Sequence, residues 1–586
     1  MNDIEAAAQH WGVETGYHDI FGHWHAVPDE TLRLIVQDLS RTRADPAQLG
    51  PSEPFRPAFQ GDGGKVWGLA IQLYAVRSSR NWGIGDFSDL RDIVRIVANC
   101  GASAIGLNPL HALFPDRPEM ASPYGPNSRL FLNPLYIAVD DIPDFVASEE
   151  LHTALEAVRR TELVDYTQVA ALKLTALRRA YERFIAVGTQ DRRDDFDAFL
   201  AERGEALARF SCFEVLRARF DDRPWWQWPS PWCNPDRASL DKLRAEEADA
   251  CGFIDYMQWI ADRQLGRCAE VAKERGLGIG LYLDLAVGVD PAGADAWSNQ
   301  RAVLSGLSVG APPDEFNRAG QNWGLAPFNP HALSDDNFAA MRGLLAASMQ
   351  YAGAVRLDHV LALKRLFLIP HGKRAGDGAY VRYPFEHLLR VVAEESNKFR
   401  CIFIGEDLGT VPEGFRETAA HWGLWSYRVM MFERDAAGDF KPPGDYPRAA
   451  LATFNTHDLA TFKGWMSGGD LGVKRGLGID PGETDEARRD SAQRLRQALA
   501  PMAGNNGTDG FAAAAGFLAA TPARLVMAAI EDLLDVADQI NIPGTVGEHP
   551  NWRRKLPLSI EQWADHLTFR AAVAAFDHSG RSVRPI

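Results

Sequence analysis

The stretch Gly353-Ala-Val-Arg-Leu-Asp-His359 has the pattern of a short buried strand that ends in charge. Ala354 and Val355 are apolar, and the stretch is too short for a helix. Side chains alternate along a strand, so Arg356 and Asp358 lie on one face. A neighbouring arginine favours an ionised carboxyl, which predicts a charged Asp358 at neutral pH. Taken alone, the pair is equally compatible with a structural salt bridge at a strand end.

Seven further short apolar stretches predict strands, and helical patterns separate them. One such helix is 86–98, with Leu90, Ile93 and Val97 on its apolar side. Strands that alternate with helices predict a parallel (β/α)₈ TIM barrel. The rival architecture, a doubly wound sheet, would need a glycine-rich phosphate turn after the first strand, and 81–86 lacks that pattern. The eight predicted strands are 66–74, 102–108, 278–284, 353–359, 401–406, 427–432, 450–455 and 538–542.

The remaining sequence divides around this barrel. Residues 1–44 predict a small helical N-terminal segment, and 45–66 a linker rich in proline and glycine. Residues 67–586 are then predicted to form the barrel domain. A mainly helical stretch at about 145–265 follows the second strand and predicts an insertion.

Composition limits the possible partners and compartment. The 586 residues carry a net charge of −16, which gives no basic face for nucleic acid and no attraction to anionic membranes. The sequence contains no run of about 18 apolar residues, so no membrane span is predicted. The N-terminus lacks a signal-peptide pattern, and the six cysteines form no CxxC pair. We therefore expect a cytoplasmic protein with free thiols, and the acidic charge is compatible with a neutral substrate such as a sugar.

Several predicted strands end in acids, namely Asp284, Asp358, Glu406 and the stretch Asn455-Thr-His-Asp458. The carboxyl ends of barrel strands meet at one mouth, where crowded carboxyl groups push their pKa values apart. One acid then stays protonated while another stays ionised, as cleavage of a glycosidic bond requires. Arg356 favours Asp358 as the nucleophile. The apolar residues before Glu406 favour it as the acid/base, and Asp458 would stabilise positive charge at the anomeric carbon.

These strand ends resemble the catalytic strand ends of the α-amylase superfamily. Five further motifs, in consistent order along 67–570, resemble the amylomaltases, which are 4-α-glucanotransferases also called disproportionating enzymes. The motifs are Ser122-Pro-Tyr-Gly125, Gly310-Ala-Pro-Pro-Asp314, Gly320-Gln-Asn-Trp-Gly-Leu325, Asn541-Ile-Pro-Gly-Thr545 and Pro550-Asn-Trp-Arg553.

The resemblance implies retaining transfer of α-1,4-glucan segments between malto-oligosaccharides or related glucans, without a cofactor or metal. It implies the same three roles for Asp358, Glu406 and Asp458. It also implies that Gly320–Gly324 is a flexible loop over the cleft, whose tryptophan stacks on glucan and helps to exclude water. The expected substrate-binding residues are Arg356, His457, Tyr124, Asp284, Trp323, Asp314 and Asn455.

Three other functions are compatible with parts of this pattern. An α-glucan hydrolase would use the same three acids and differ only in taking water as acceptor. A glucan-binding protein without activity would have no reason to keep both an acid and a nucleophile. A metal-dependent barrel enzyme would also place acids at strand ends, but His371 and His421 offer no ligand spacing.

Overall fold

A closed barrel of eight parallel strands forms the centre of the molecule, which confirms the predicted fold class. The computed structural model describes residues 3–19, 22–50, 56–313, 319–503 and 507–584. In chain order the strands are β1 Gly16–His18, β2 Trp24–Ala26, β3 Val66–Ile71, β4 Ala104–Leu107, β5 His111–Ala112, β6 Ser128–Leu132, β7 Gly280–Leu285, β8 Leu307–Ala311, β9 Gln321–Leu325, β10 Ala354–Leu357, β11 Arg365–Pro370, β12 Ala379–Arg382, β13 Ile402–Gly405, β14 Trp425–Val429, β15 Ala450–Thr453 and β16 Leu525–Ala529.

The barrel strands are β3, β4, β7, β10, β13, β14, β15 and β16, and β16 closes on β3. Their order follows the chain, so all carboxyl ends open at one mouth. The first seven overlap the predicted strands, but the prediction of the eighth at 538–542 is wrong. The eighth strand is Leu525–Ala529, which follows the apolar helix Phe511–Ala520 so closely that the two stretches resemble one alanine-rich run.

Helices cover the barrel, because parallel strands need long crossover connections. In α3 the predicted apolar side is buried, and Asp86 caps the helix by accepting from the N–H groups of Ser88 and Asp89. The helices are α1 Asp3–His10, α2 Asp29–Leu39, α3 Phe87–Asn99, α4 Glu149–Arg160, α5 Tyr166–Val187, α6 Gln190–Arg219, α7 Arg237–Glu246, α8 Ala248–Glu274, α9 Ala294–Ser298, α10 Pro330–Leu333, α11 Ala339–Met349, α12 Phe385–Phe399, α13 Phe415–His421, α14 Phe462–Ser467, α15 Gly469–Gly476, α16 Asp485–Leu499, α17 Phe511–Ala520, α18 Ile530–Leu533 and α19 Leu567–His578.

The helices α4 to α8 lie between the second and third barrel strands, in the region of the predicted insertion. The expected boundary at about 265 falls inside α8, because this helix continues along α3 on the barrel wall. Within the described ranges, no helix has both the length and the apolar character that crossing a bilayer requires.

A four-stranded sheet in the order β12-β11-β8-β9 extends from the end of the fourth barrel strand. It is reached from β10 through His359 and the short 3-10 helix Val360–Leu363, which leads into β11. The helix α2 packs on β11 of this sheet, β1 of the hairpin β1–β2 contacts β12, and α1 packs on α2. The described part of the N-terminal segment contains these two helices and the two-stranded hairpin.

Candidate active site

Arg356 is the charged centre of the barrel mouth. Register places it on β10 directly opposite Asp284 of β7. Its Nη1 donates to both carboxylate oxygens of Asp284 at 2.7 and 2.8 Å, and its Nη2 donates to Asp358 Oδ1 at 2.9 Å. Burial alone would lower the pKa of Arg356, but Asp284 and Asp358 raise it well above its ordinary value. The guanidinium is thus a permanent cation that fixes two carboxylates.

Asp358 is the residue after β10, with its side chain 22% exposed at the mouth. The pKa of Asp358 is raised to about 6, mainly by burial and also by Asp284 and Glu406, while Arg356 acts in the lowering direction. From the sequence, Arg356 favoured an ionised Asp358, and an upward shift of its pKa was not predicted. Because the pKa stays below neutral, the ionised form still predominates at pH 7.

Glu406 leaves the neighbouring strand β13 at the same level as Asp358. Leu357 pairs with Gly405 in the parallel register, so the next residue of each strand is one of the two acids. A Cβ at position 405 would lie 2.8 Å from Cγ2 of Val360, so glycine allows the turn after β10 to pack on this strand. That packing brings the two acids to one edge of the mouth.

Two backbone N–H groups hold the Glu406 carboxyl group. Leu408 donates to Oε1 at 2.7 Å and His359 donates to Oε2 at 2.9 Å. His359 has a φ of 49°, a left-handed conformation that is uncommon for a residue other than glycine, and it belongs to the strand end that presents this N–H. Burial raises the pKa of Glu406, although Arg356 and both N–H groups oppose the shift.

Asp458 belongs to the loop that follows β15, with its side chain 44% exposed. Its Oδ2 lies 3.3 Å from His457 Nε2, and its Oδ1 accepts from Asn541 Nδ2 at 2.6 Å. Burial acts to raise the pKa of Asp458, but His457 and Asn541 together lower it. Burial also acts to lower the pKa of His457, and Asp458 raises it overall. Sequence reasoning missed Asn541 as an individual residue, although its motif was the available signal.

Tyr124 connects the two sides of the mouth. Its hydroxyl donates to Asp284 Oδ2 at 2.5 Å and lies 3.2 Å from His457 Nδ1. Its ring stacks on His457 with centroids 4.7 Å apart, and the ring of Trp552 lies 5.5 Å from Tyr124 and 5.2 Å from His457. Trp552, which comes from the Pro550–Arg553 motif, is a second residue that sequence reasoning did not single out.

The remaining expected substrate-binding residues are placed differently. Trp323 lies on the edge strand β9, so the predicted flexible loop is partly a β-strand, and its ring meets His359 edge-on at 5.2 Å. Asn455 is buried in its loop, where its amide donates to the carbonyl of Ala460 at 3.1 Å, so its side chain does not join the cluster at the mouth. Asp314 lies outside the described residues.

This arrangement has the parts that acetal cleavage needs. Glu406 is a buried carboxyl group with a raised pKa, and Asp358 is a neighbouring carboxylate fixed by a cation. Asp458 adds a third carboxylate with a lowered pKa, which can stabilise developing positive charge.

Comparisons with known proteins agree with this chemistry. The profile of the Glyco_hydro_77 family, described as 4-alpha-glucanotransferase, matches residues 71–559. A 4-alpha-glucanotransferase of Haemophilus influenzae is 36% identical over 544 residues, which cover 87% of this chain and 78% of that protein. A 4-alpha-glucanotransferase of Mycobacterium tuberculosis is 35% identical over 524 residues, which cover 85% of this chain and 72% of that protein. The crystal structure of amylomaltase from Corynebacterium glutamicum matches with a TM-score of 0.84 and 25% identity, over 98% of this chain and 99% of that one. This chain therefore belongs to the Glyco_hydro_77 family of 4-alpha-glucanotransferases.

Proposed function

We propose that this 4-alpha-glucanotransferase moves α-1,4-glucan segments from a malto-oligosaccharide or starch-type donor to a sugar 4-hydroxyl by a retaining double displacement. The observation that carries the proposal is the pair of Asp358 and Glu406 at matching positions on neighbouring strands. Neighbouring strands lie about 4.8 Å apart, so both acids leave adjacent backbone positions, and the proposal requires their carboxyl groups to lie about 5–5.5 Å apart, as in retaining enzymes.

In the first step, Asp358 Oδ2, the oxygen that does not accept from Arg356, attacks the anomeric carbon. Glu406 gives its proton to the glycosidic oxygen as that carbon–oxygen bond breaks, and a covalent glycosyl-enzyme forms. In the second step, Glu406 takes the proton of the acceptor 4-hydroxyl, whose oxygen displaces Asp358. Asp458 stabilises the positive charge at the anomeric carbon in both steps.

The residues around the three acids would bind the reacting sugar. Arg356, Asp284, Tyr124 and His457 form one hydrogen-bonded network, so they present fixed donors and acceptors to sugar hydroxyls. Trp323 offers a flat face for a neighbouring glucose unit and shields the site from water. Binding roles for Asp314 and Asn455 stay predictions.

The hydrolase alternative differs only in the acceptor, and the catalytic acids alone do not separate the two reactions. Transfer is the activity that the names of the curated relatives give. An inactive binding protein would need neither the buried Glu406 nor its neighbour Asp358.

A product profile with maltotriose tests the proposal directly. Purified protein with maltotriose alone should give a ladder of longer oligomers and free glucose, with little net rise in reducing ends. The same ladder is expected with EDTA present, since the proposed steps use only side chains. Shorter sugars alone, with rising reducing ends, would mean that water is the acceptor and would overturn transfer.

Activity should fall on the acidic side of about pH 6. The pKa of Asp358 is raised to about 6, so below that pH the carboxylate takes up a proton and loses the negative charge that makes it a nucleophile. We expect kcat/KM to decrease about tenfold per pH unit on this limb. A second decrease at high pH should follow the raised pKa of Glu406, when the acid loses its proton. Full activity at pH 4.5 would contradict the assigned environment of Asp358.

We also propose a cytoplasmic location. All six cysteines are free thiols, which is typical of a reducing compartment. Fractionation of cells that express the protein at its natural level would test this.

A further inference from the structure

The N-terminal segment, defined here as residues 3–19 and 22–44, joins the sheet that borders the active site. Gly12 accepts from the N–H of Arg382 at 2.9 Å, and Glu14 donates its N–H to Tyr380 at 2.8 Å. Val13 and Val381 form an antiparallel bridge between these bonds. Residues 12–14 therefore act as an additional edge strand beside β12.

Side chains of the segment fix the same sheet. The buried ring of Tyr17 meets Phe367 at 5.5 Å and Tyr380 at 5.9 Å, both edge-on. Thr31 donates its hydroxyl to the carbonyl of Asp377 at 2.9 Å, in the turn between β11 and β12. That turn reaches the base of β9, because a Cβ at Gly320 would lie 3.1 Å from the Cβ of Ala375.

The segment also holds the chain that follows β9. The ring of Trp11 packs on His331 at 5.1 Å, and its carbonyl lies 3.1 Å from His331 Nε2. Arg43 donates to the carbonyl of His331 at 2.8 Å. Asn329 donates its amide to the carbonyl of Leu39 at 3.1 Å. The strand β9 is therefore constrained through the sheet on one side and through its C-terminal continuation on the other.

The opposite edge of this sheet contacts the active site through Trp323. Trp323 on β9 contacts His359, which directly follows the nucleophile and donates its N–H to Glu406. His359 is also joined by the short helix Val360–Leu363 to β11, the central strand that pairs with both β8 and β12. A shift of the sheet would therefore displace Trp323 relative to the two catalytic acids.

We propose that the N-terminal segment is a positioning element for Trp323, and that it thereby sets how the glycosyl-enzyme divides between a sugar acceptor and water. The inference rests on the proposed function, in which Trp323 shields the intermediate. Packed sheets transmit small displacements, and a misplacement of about 1 Å at a reacting centre is enough to change a rate strongly.

Tyr17→Leu tests the inference, because it keeps an apolar side chain at this position of β1 but removes the ring contacts to the sheet. We expect the ratio of hydrolysis to transfer on maltotriose to rise about threefold to tenfold, the size of effects carried through packed networks. Tyr181→Leu is the matched control. Tyr181 is equally buried, but it packs on Phe253 and Tyr256 in the helical insertion. This control should lose stability with the ratio unchanged.

A double variant separates positioning from a general loss of stability. Trp323→Ala should itself raise the ratio, and adding Tyr17→Leu should raise it no further. If Tyr17→Leu does not fold, Thr31→Val removes only the bond to Asp377 and is measured in the same way. If the wild type transfers and the folded variant has the same ratio of hydrolysis to transfer, this inference alone is overturned. A wild type that only hydrolyses maltotriose would instead overturn the proposed function.

Discussion

Replacing Asp358 by asparagine is expected to lower kcat/KM for transfer by at least about 10³-fold while glucan binding remains. Asparagine has nearly the same shape, and its amide oxygen can still accept from Arg356 Nη2. It has no anionic oxygen to attack the anomeric carbon, so the covalent intermediate cannot form. Transfer is measured from maltotriose, and binding is measured by calorimetry with the same sugar.

Asp470→Asn is the matched control for this substitution. Asp470 is also buried and bonded to an arginine, Arg488, but that pair joins α15 to α16. The control should lose stability and keep its transfer rate. Near-normal turnover of Asp358→Asn would show that the nucleophile is assigned to the wrong residue.

The barrel and the acids at its mouth could be predicted because both follow from local sequence. A short apolar run followed by an acid can be recognised directly in the sequence as a strand and its end. The parallel barrel then requires the carboxyl ends of these strands to meet at one mouth. Arg356 and Asp358 share a face by strand alternation alone, and the structure shows the bond between them. The role of Asp284 as the main partner of Arg356 depended on register, which alternation along one strand does not give.

The features that could not be predicted from the sequence depend on contacts between distant parts of the chain. Residues 539–542 alternate polar and apolar side chains like a strand, yet they form an irregular segment in which Asn541 reaches Asp458. The raised pKa of Asp358 arises from burial and from acids on other strands, so a reading of its sequence neighbours alone leaves these effects out. The attachment of residues 12–14 to β12 likewise joins positions that are far apart in sequence.

Replacing Glu406 by glutamine should lower transfer from maltotriose about 10²- to 10⁴-fold, the usual contribution of a general acid. The first step should recover with α-glucosyl fluoride, because fluoride leaves without a proton. Glutamine has one acceptor oxygen for the two N–H groups of His359 and Leu408, so some loss of stability is also expected. Glu395→Gln is the control. Glu395 is a buried acid on the outer helix α12, where it pairs with Arg342 of α11.

Azide distinguishes the roles of the two acids by the product that each variant forms. In Asp358→Asn, azide can occupy the place of the missing carboxylate and attack an α-glucosyl donor from the opposite face, which gives the β-azide. In Glu406→Gln, Asp358 still forms the β-linked intermediate from α-glucosyl fluoride, and azide then attacks it without needing a base, which gives the α-azide. Opposite anomers from the two variants would establish a double displacement with these assignments. The same anomer from both would contradict it, because a single displacement inverts the anomeric carbon whichever acid is missing.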